Sequence, residues 1–498
     1  MDNPFKFLAS LFFALFVIAP FTACSDSNDN GGGNDAVPFS LSPENVSFPA
    51  EGGTVTLTIR SATPVGVSSD ASWCVPTAGA ASTQTRLYTL TAAANTLSQV
   101  RTAVITVTAG SETKQVNVSQ AAAKQPDEPS MDIPADPTGM ESDAAALAAR
   151  MTYGWNLGNT LESIGGETAW GNPLTTEAMI KKVKEAGFNA IRIPCSWNQY
   201  LEADAAPYTV KSSWMDRVKE VVDYCVGNDL YAILNIHWDG GWLENSIPNG
   251  YSQTVDAKQR AIWRQIAIAF RDYDEHLLFA GCNEPNVENA AQMATLTRYE
   301  QTFVDAVRTT GGRNAYRNLI VQGPSTDIDK TILLMDALPA DPTPKRMMLE
   351  VHYYTPWTFA GLEADASWGK MAYFWGENNQ GYAQGDYAGR WDNTGAETYM
   401  RGQLAKMKTA FVDKGVPVIL GEYAALRRTL SDSADPTANA NAQTGHDSSR
   451  AAYVGYLTRQ ARAAGLIPFF WDAGNSMSIF RRPEMTIIDP AVYEEMMR

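Results

Sequence analysis

Two glutamates stand at the ends of apolar, strand-like runs: Glu284 closes LLFAGCNE and Glu422 closes PVILGE. A carboxylate in such a place is costly to bury unless it has partners or a task. Other apolar runs end in side chains that core packing does not call for: Arg192, then His237-Trp238-Asp239, Asn283 beside Glu284, His352 and Tyr354 in VHYY, and Trp471 in FFWD. Two carboxylates facing each other across a sugar–sugar bond can hydrolyse it. One, protonated, gives its proton to the leaving oxygen while the other, ionised, attacks the anomeric carbon. Trp471 adds an apolar face on which a pyranose ring could stack.

These strand ends must be gathered by a fold. Apolar, β-branched runs recur at Tyr153–Leu157, Ala190–Pro194, Tyr231–His237, Leu277–Asn283, Asn318–Gly323, Met347–Tyr354, Pro417–Glu422 and Ile467–Asp472. Between them, stretches such as 175–187, 212–228 and 257–273 place apolar residues at i, i+3/4 and i+7 beneath a charged face, as amphipathic helices do. Eight alternating units predict an α/β catalytic domain over residues 140–498, a (β/α)8 TIM barrel with its chemistry at the C-terminal strand ends. A doubly wound open sheet would carry a Gly-rich phosphate loop after its first strand. GWNLGN at 154–159 does not match that pattern.

The 498 residues leave room for two or three domains at roughly 150 residues each. With 45% apolar residues bulk disorder is excluded, and 39 Lys+Arg against 55 Asp+Glu give a net charge of -16. That charge repels nucleic-acid phosphates and suits a neutral substrate. None of the four His stands in HExxH spacing and no pair of CxxC motifs occurs, so no metal and no cofactor is expected. Residues 1–23 carry Lys6, the apolar LFFALFVIAP and then Phe21-Thr22-Ala23 before Cys24, the layout of a bacterial lipoprotein signal peptide with Cys24 as the acylated residue. Residues 24–36 are a polar tether, resembling the acidic tract of surface lipoproteins in Bacteroidetes. Export to the outer membrane or cell surface, held there through a lipid anchor, is therefore expected, with the chain monomeric. From 37 to 121, alternating stretches such as VTLTI, TAVITVTA and KQVNVSQ predict an all-β immunoglobulin-like sandwich in which Trp73 and Tyr88 belong to the core. Residues 122–139, rich in Pro, read as a semi-stiff linker.

Seven motifs in order, GWNLGNTLE (154–162), IRIPCSW (191–197), NIHWDGGW (235–242), CNEPN (282–286), VHYYTP (351–356), LGEY (420–423) and FFWD (469–472), resemble the strand-end motifs of glycoside hydrolase family 5. Within it they resemble the endo-β-1,4-glucanases (cellulases) of gut and rumen Bacteroidetes. FPAEGGTVTLTI, Ser72-Trp73, Arg101 and the closing VSQ resemble a BACON domain, read here as a spacer. The resemblance implies a retaining double displacement with Glu284 as acid/base and Glu422 as nucleophile. It further implies that Asn283 bonds the sugar 2-hydroxyl, that Arg192, His352 and Tyr354 orient and charge-stabilise the nucleophile, that His237 contacts the sugar or the catalytic shell, and that Trp471 floors the subsite before the cleaved bond. Trp238 and Trp242 would widen that aromatic floor. On this assignment Arg192 and Tyr354 favour ionised Glu422, whose charge would hold Glu284 protonated toward neutral pH. The implied substrate is a cellulose-type β-glucan; xyloglucan, glucomannan, mixed-linkage glucan and xylan are alternatives. A surface glycan-binding lipoprotein on an inactive barrel is the non-enzyme alternative. Many family members carry a Glu where this chain has Ala280, which leaves buried Arg192 in need of another anion. Glu350 shares the inner face with His352 by strand alternation. It is either that anion or is paired with a lysine or with backbone amides at a lower layer.

Overall fold

The computed structural model describes residues 38–95, 101–121, 133–392 and 394–498. The signal peptide, Cys24, the tether and residues 122–132 lie outside the described residues. No described helix is long and apolar enough to cross a membrane. The chain divides into two compact units, Met1–Asp127 and Glu128–Arg498.

Among the described residues the first unit holds eight strands: β1 (Ser40–Ser42), β2 (Asn45–Phe48), β3 (Gly53–Arg60), β4 (Val65–Ser69), β5 (Cys74–Ala81), β6 (Thr85–Ala92), β7 (Arg101–Ala109) and β8 (Glu112–Gln120). They form two four-stranded sheets, ordered β1-β3-β6-β5 and β2-β8-β7-β4. Period-two alternation decides which residues go in: Ala103, Ile105, Val107 and Ala109 of β7 are buried, with Val116 and Val118 of β8 beside them. Leu57, Ile59 and Leu90 complete the core from the other sheet. Trp73 and Tyr88 pack against that core. One face of Trp73 is covered by the Arg101 guanidinium at 4.4 Å, itself tied to Ala93 O at 2.8 Å, so that face is closed to a sugar.

In the second unit the eight expected runs become β9 (Gly154–Leu157), β10 (Ala190–Ile193), β11 (Tyr231–Asn235), β12 (Leu277–Ala280), β13 (Leu319–Gln322), β14 (Met347–His352), β15 (Val418–Tyr423) and β16 (Leu466–Asp472). They close into a parallel barrel, β16 pairing back onto β9. Helices cover it by their apolar stripes. In Glu177–Glu185, capped by the Thr176 hydroxyl, Met179, Ile180 and Val183 are buried. A short helix, Ala144–Ala148, closes the N-terminal end. Its Ala144 and Leu147, with Met151, form one apolar cluster with the inward Ala190, Ile233, Leu278, Ile320, Met348, Ile419 and Ile467. The linker expectation runs too long at its C-terminal side. Gly312 N donates to Pro134 O at 3.2 Å and Asp136 N to Gly312 O at 3.0 Å, so residues 134–136 are bonded to the barrel unit.

Candidate active site

Arg192 is on the inner face of β10, between the outward Ile191 and Ile193, and is fully buried. Its guanidinium finds a partner on four sides. Nη1 donates to Asn156 Oδ1 at 3.0 Å and to Glu422 Oε1 at 2.9 Å, and Nη2 donates to Asn283 Oδ1 at 2.6 Å. Nε stands 2.8 Å from Glu350 Oε1 as an ion pair. Of the two readings for Glu350, the structure takes the Arg192 partner. Glu350 also receives Gln322 Nε2 at 2.8 Å and lies 3.2 Å from His352 Nε2. Burial would raise its carboxyl, but Arg192, His352 and Gln322 hold it below the usual range, as an anion. Its carboxylate occupies the space above Gly421, where a Cβ would meet Oε1 at 2.0 Å. Glycine is therefore required one residue before Glu422.

β14 and β15 both shift register near the mouth, between Val351 and His352 and between Leu420 and Tyr423. Such irregularities re-aim side chains. His352 ends up between three carboxylates. Nδ1 is 2.8 Å from Glu284 Oε1 and 3.7 Å from Glu422 Oε2, while Nε2 faces Glu350. Both ring nitrogens face acceptors, so both carry hydrogen. Burial would lower His352, yet Glu422, Glu284 and Glu350 push it up to about 10. Tyr354 OH donates to Glu422 Oε2 at 3.1 Å, and burial together with the charge of Glu422 keeps that phenol protonated.

This arrangement overturns one expectation, that Glu284 holds its proton near neutrality under the field of Glu422. Burial does raise it, but its side chain is 47% exposed against 7% for Glu422, and the hydrogen bond and charge of His352 carry it below the usual carboxylate range. Glu422 goes the other way, raised chiefly by burial against the pull of His352 and Arg192. In the free site the mobile proton thus sits on the imidazole between the two carboxylates. One oxygen of Glu284, one of Glu422 and a His352 nitrogen lie within 4.8 Å of one another, and among the described residues they are the one group whose donor types could hold a metal. The imidazolium already supplies the positive charge a metal would bring there.

The remaining expected residues divide. His237 stacks parallel to Trp471, ring centres 5.7 Å apart, and its Nδ1 meets Asn235 Nδ2 at 3.2 Å. Burial and the charges of Arg192 and His352 keep His237 neutral. Trp471 packs its ring edge over Gly158, where a Cβ would lie 3.0 Å from it. Trp238 is 45% exposed. Trp242 departs from its expected place on an open floor: its Nε1 donates to Asp239 Oδ2 at 2.9 Å and Lys258 Nζ covers its ring at 4.7 Å. Sequence reasoning passed over Asn156, Asn235, Glu244 and Gln322, all buried. The signal for three of them was an amide on the inner face of an apolar strand. It also passed over Trp170, Trp357 and Trp368. With Trp238 these are the exposed tryptophans among the described residues, and all four stand in the connections that follow barrel strands at this end, Trp357 opening the short helix Trp357–Ala360.

Comparison with known proteins agrees with the geometry. The cellulase model, glycosyl hydrolase family 5, matches residues 156–476, and the BACON model of an N-terminal domain matches residues 63–121. A xyloglucan-specific endo-β-1,4-glucanase of Bacteroides ovatus is 34% identical over 96% of this chain and 94% of its own. The solved Bacteroides ovatus family 5 xyloglucanase in complex with a XXXG heptasaccharide superposes with TM-score 0.67 at 33% identity, covering 93% of this chain and 99% of that one. A xyloglucan-specific β-1,4-glucanase from a ruminal metagenomic library, in complex with XXLG, superposes with TM-score 0.62 at 38% identity over 72% and 95%. With carboxylates at the ends of β12 and β15 brought together under a shared imidazolium, and a family match running from β9 through β16, the chain belongs to glycosyl hydrolase family 5, a family of retaining glycoside hydrolases.

Proposed function

We propose that this hydrolase cleaves internal β-1,4-glucosidic bonds of xyloglucan by double displacement, with Glu422 as nucleophile and Glu284 as acid/base. The observation that carries the reaction is the approach of one oxygen of Glu284 to one of Glu422 within 4.8 Å. Retaining enzymes need about 5–5.5 Å, whereas inverting ones leave about 6.5–9.5 Å for a water. Glu422 Oε2 attacks the anomeric carbon as the bond to the leaving oxygen breaks. A sugar seated over Glu284 excludes water from it, and the proton on His352 passes along the 2.8 Å bond to Glu284 and on to that oxygen. In the second step Glu284 takes a proton from water, whose oxygen attacks the same carbon and frees Glu422, and hands that proton back to His352 along the same bond. Asn283 commits Oδ1 to Arg192, a donor without lone pairs, so its amide hydrogens are turned away to meet a sugar hydroxyl. The preference for xyloglucan is supported by the Bacteroides ovatus and ruminal xyloglucanases described above, and the four exposed tryptophans suit a long chain rather than a small sugar.

Proton NMR of xyloglucan digestion should show the β-anomer first, and an initial α-anomer overturns the double displacement. Across xyloglucan, mixed-linkage glucan, carboxymethylcellulose, glucomannan and xylan, xyloglucan should give the highest kcat/KM; a higher value on an unbranched glucan overturns the substrate. Export as a lipoprotein acylated on Cys24 is part of the same proposal and rests on the layout of residues 1–36. Cys24→Ser should release soluble enzyme from the membrane fraction, and unchanged fractionation counts against the anchor.

A further inference from the structure

Glu244 opens the 3-10 helix Glu244–Asn249 in the loop after β11 and is 3% exposed. One of its oxygens, Oε1, accepts two successive backbone N–H groups, from Asn283 at 3.0 Å and from Glu284 at 2.7 Å. Both donors lie beyond the last residue of β12, where the strand ladder has ended. Just before them, Cys282 N donates to Gln322 Oε1 at 3.0 Å. Three consecutive peptides at the point where chemistry is presented are thus held by side chains from neighbouring elements, and two of the three by a single carboxyl oxygen.

We propose that Glu244 is the positioning residue for Glu284: through one oxygen it fixes the peptides that carry Asn283 and Glu284, and it couples its own charge to that of the acid/base. This rests on Glu284 holding that role. The titratable groups facing Glu244 are Glu284 and Cys282 at the end of β12 and His352 on β14. Burial pushes Glu244 up to about 8, against the two N–H donors and the charge of His352, while the charge of Glu284 adds to the rise. The carboxyl is therefore neutral in acid and becomes an anion on the alkaline side. Coupling between two titrating groups is mutual, so an ionised Glu244 makes both Glu284 and His352 hold the shared proton to higher pH. The clamp itself needs only a carbonyl-type oxygen and survives in either state.

Two variants separate clamp from charge. Glu244→Gln keeps an acceptor for both N–H groups but cannot ionise. Its alkaline limb of kcat/KM on xyloglucan should move down by roughly half a unit to one unit. Glu244→Ala leaves both N–H groups without their acceptor, and kcat at the optimum should fall about 10- to 100-fold with little change in KM, because small misplacement of a reacting group is costly. The glutamine variant should lose less kcat than the alanine variant. A wild-type alkaline limb in Glu244→Gln, or wild-type kcat in a folded Glu244→Ala, overturns the proposal. Should the alanine variant not fold, the pH profile of the glutamine variant alone decides. Glu284→Ala on an activated aryl cellobioside is the control: azide should accelerate it, and absence of rescue removes the acid/base reading of Glu284 whatever Glu244 does.

Discussion

Two levels of the same barrel, one step apart on the same strands, follow opposite rules. Ala190, Ile233, Ile320 and Met348 face the lower interior and join the closing helix in an apolar cluster. Two residues on, Arg192, Asn235, Gln322 and Glu350 face inward at the next level, and all four are fully buried. The lower level is held by volume, and any apolar set that fills it without strain will serve. The upper level is held by partners, because each buried donor and acceptor costs free energy unless it is met. Arg192 meets Asn156, Glu422, Asn283 and Glu350 at once, so no member can be exchanged for a residue of merely similar size. The lower level is a floor, and the upper one sets the protonation states above it.

Substitutions can test that division. The largest effect is expected where the upper level reaches substrate: Glu284→Ala should lower kcat on xyloglucan about 10²–10⁴-fold, with an unchanged denaturation midpoint read by circular dichroism. Next, Glu350→Leu fills the volume but strips Arg192 of an anion, and should cost about 3–5 kcal/mol in urea unfolding. The same change removes a group that raises His352, so the alkaline limb of the pH–rate profile should move to lower pH. Third comes the pH dependence of stability. His352 is charged up to about 10 in the fold and only to about 6.5 in an unfolded chain. Its stabilisation is complete below about 6.5 and drains away as pH rises toward 10. Between those pH values the wild type should therefore lose more melting temperature than His352→Gln. The smallest effect belongs to the lower level: Met348→Leu, on the same strand as Glu350, should cost less than about 1.5 kcal/mol and leave the pH profile where it was. A shifted profile in Met348→Leu would erase the contrast between the two levels.

Much of the fold was legible along the chain, for reasons seen in particular segments. Each barrel strand is a short apolar run whose partners are its neighbours in sequence order, so eight runs and the helices between them suffice to predict closure. The sandwich strands were legible through alternation, as in β7. Glu284 and Glu422 stood out because a carboxylate ending such a run is expensive. Trp242 was misplaced because an aromatic side chain reads alike whether it faces a sugar or a lysine. Glu244 went unseen because its partners are backbone N–H groups, which have no signature in side-chain identity. The place of the proton was not legible because it depends on a ring set between two carboxylates, and distances of 2.8 and 3.7 Å are not written in spacing.

By itself, then, the sequence determined the architecture and the residue types gathered at the barrel mouth, since periodicity and the cost of burying charge act locally and can be read residue by residue. Only the tertiary structure decided which atoms of those residues meet. The register shifts in β14 and β15 fall where His352 and Glu422 meet Glu284, and Gly421 leaves room for the Glu350 carboxylate. That decision belongs to three dimensions because electrostatic interaction and hydrogen bonding depend on distance and direction across strands far apart in the chain.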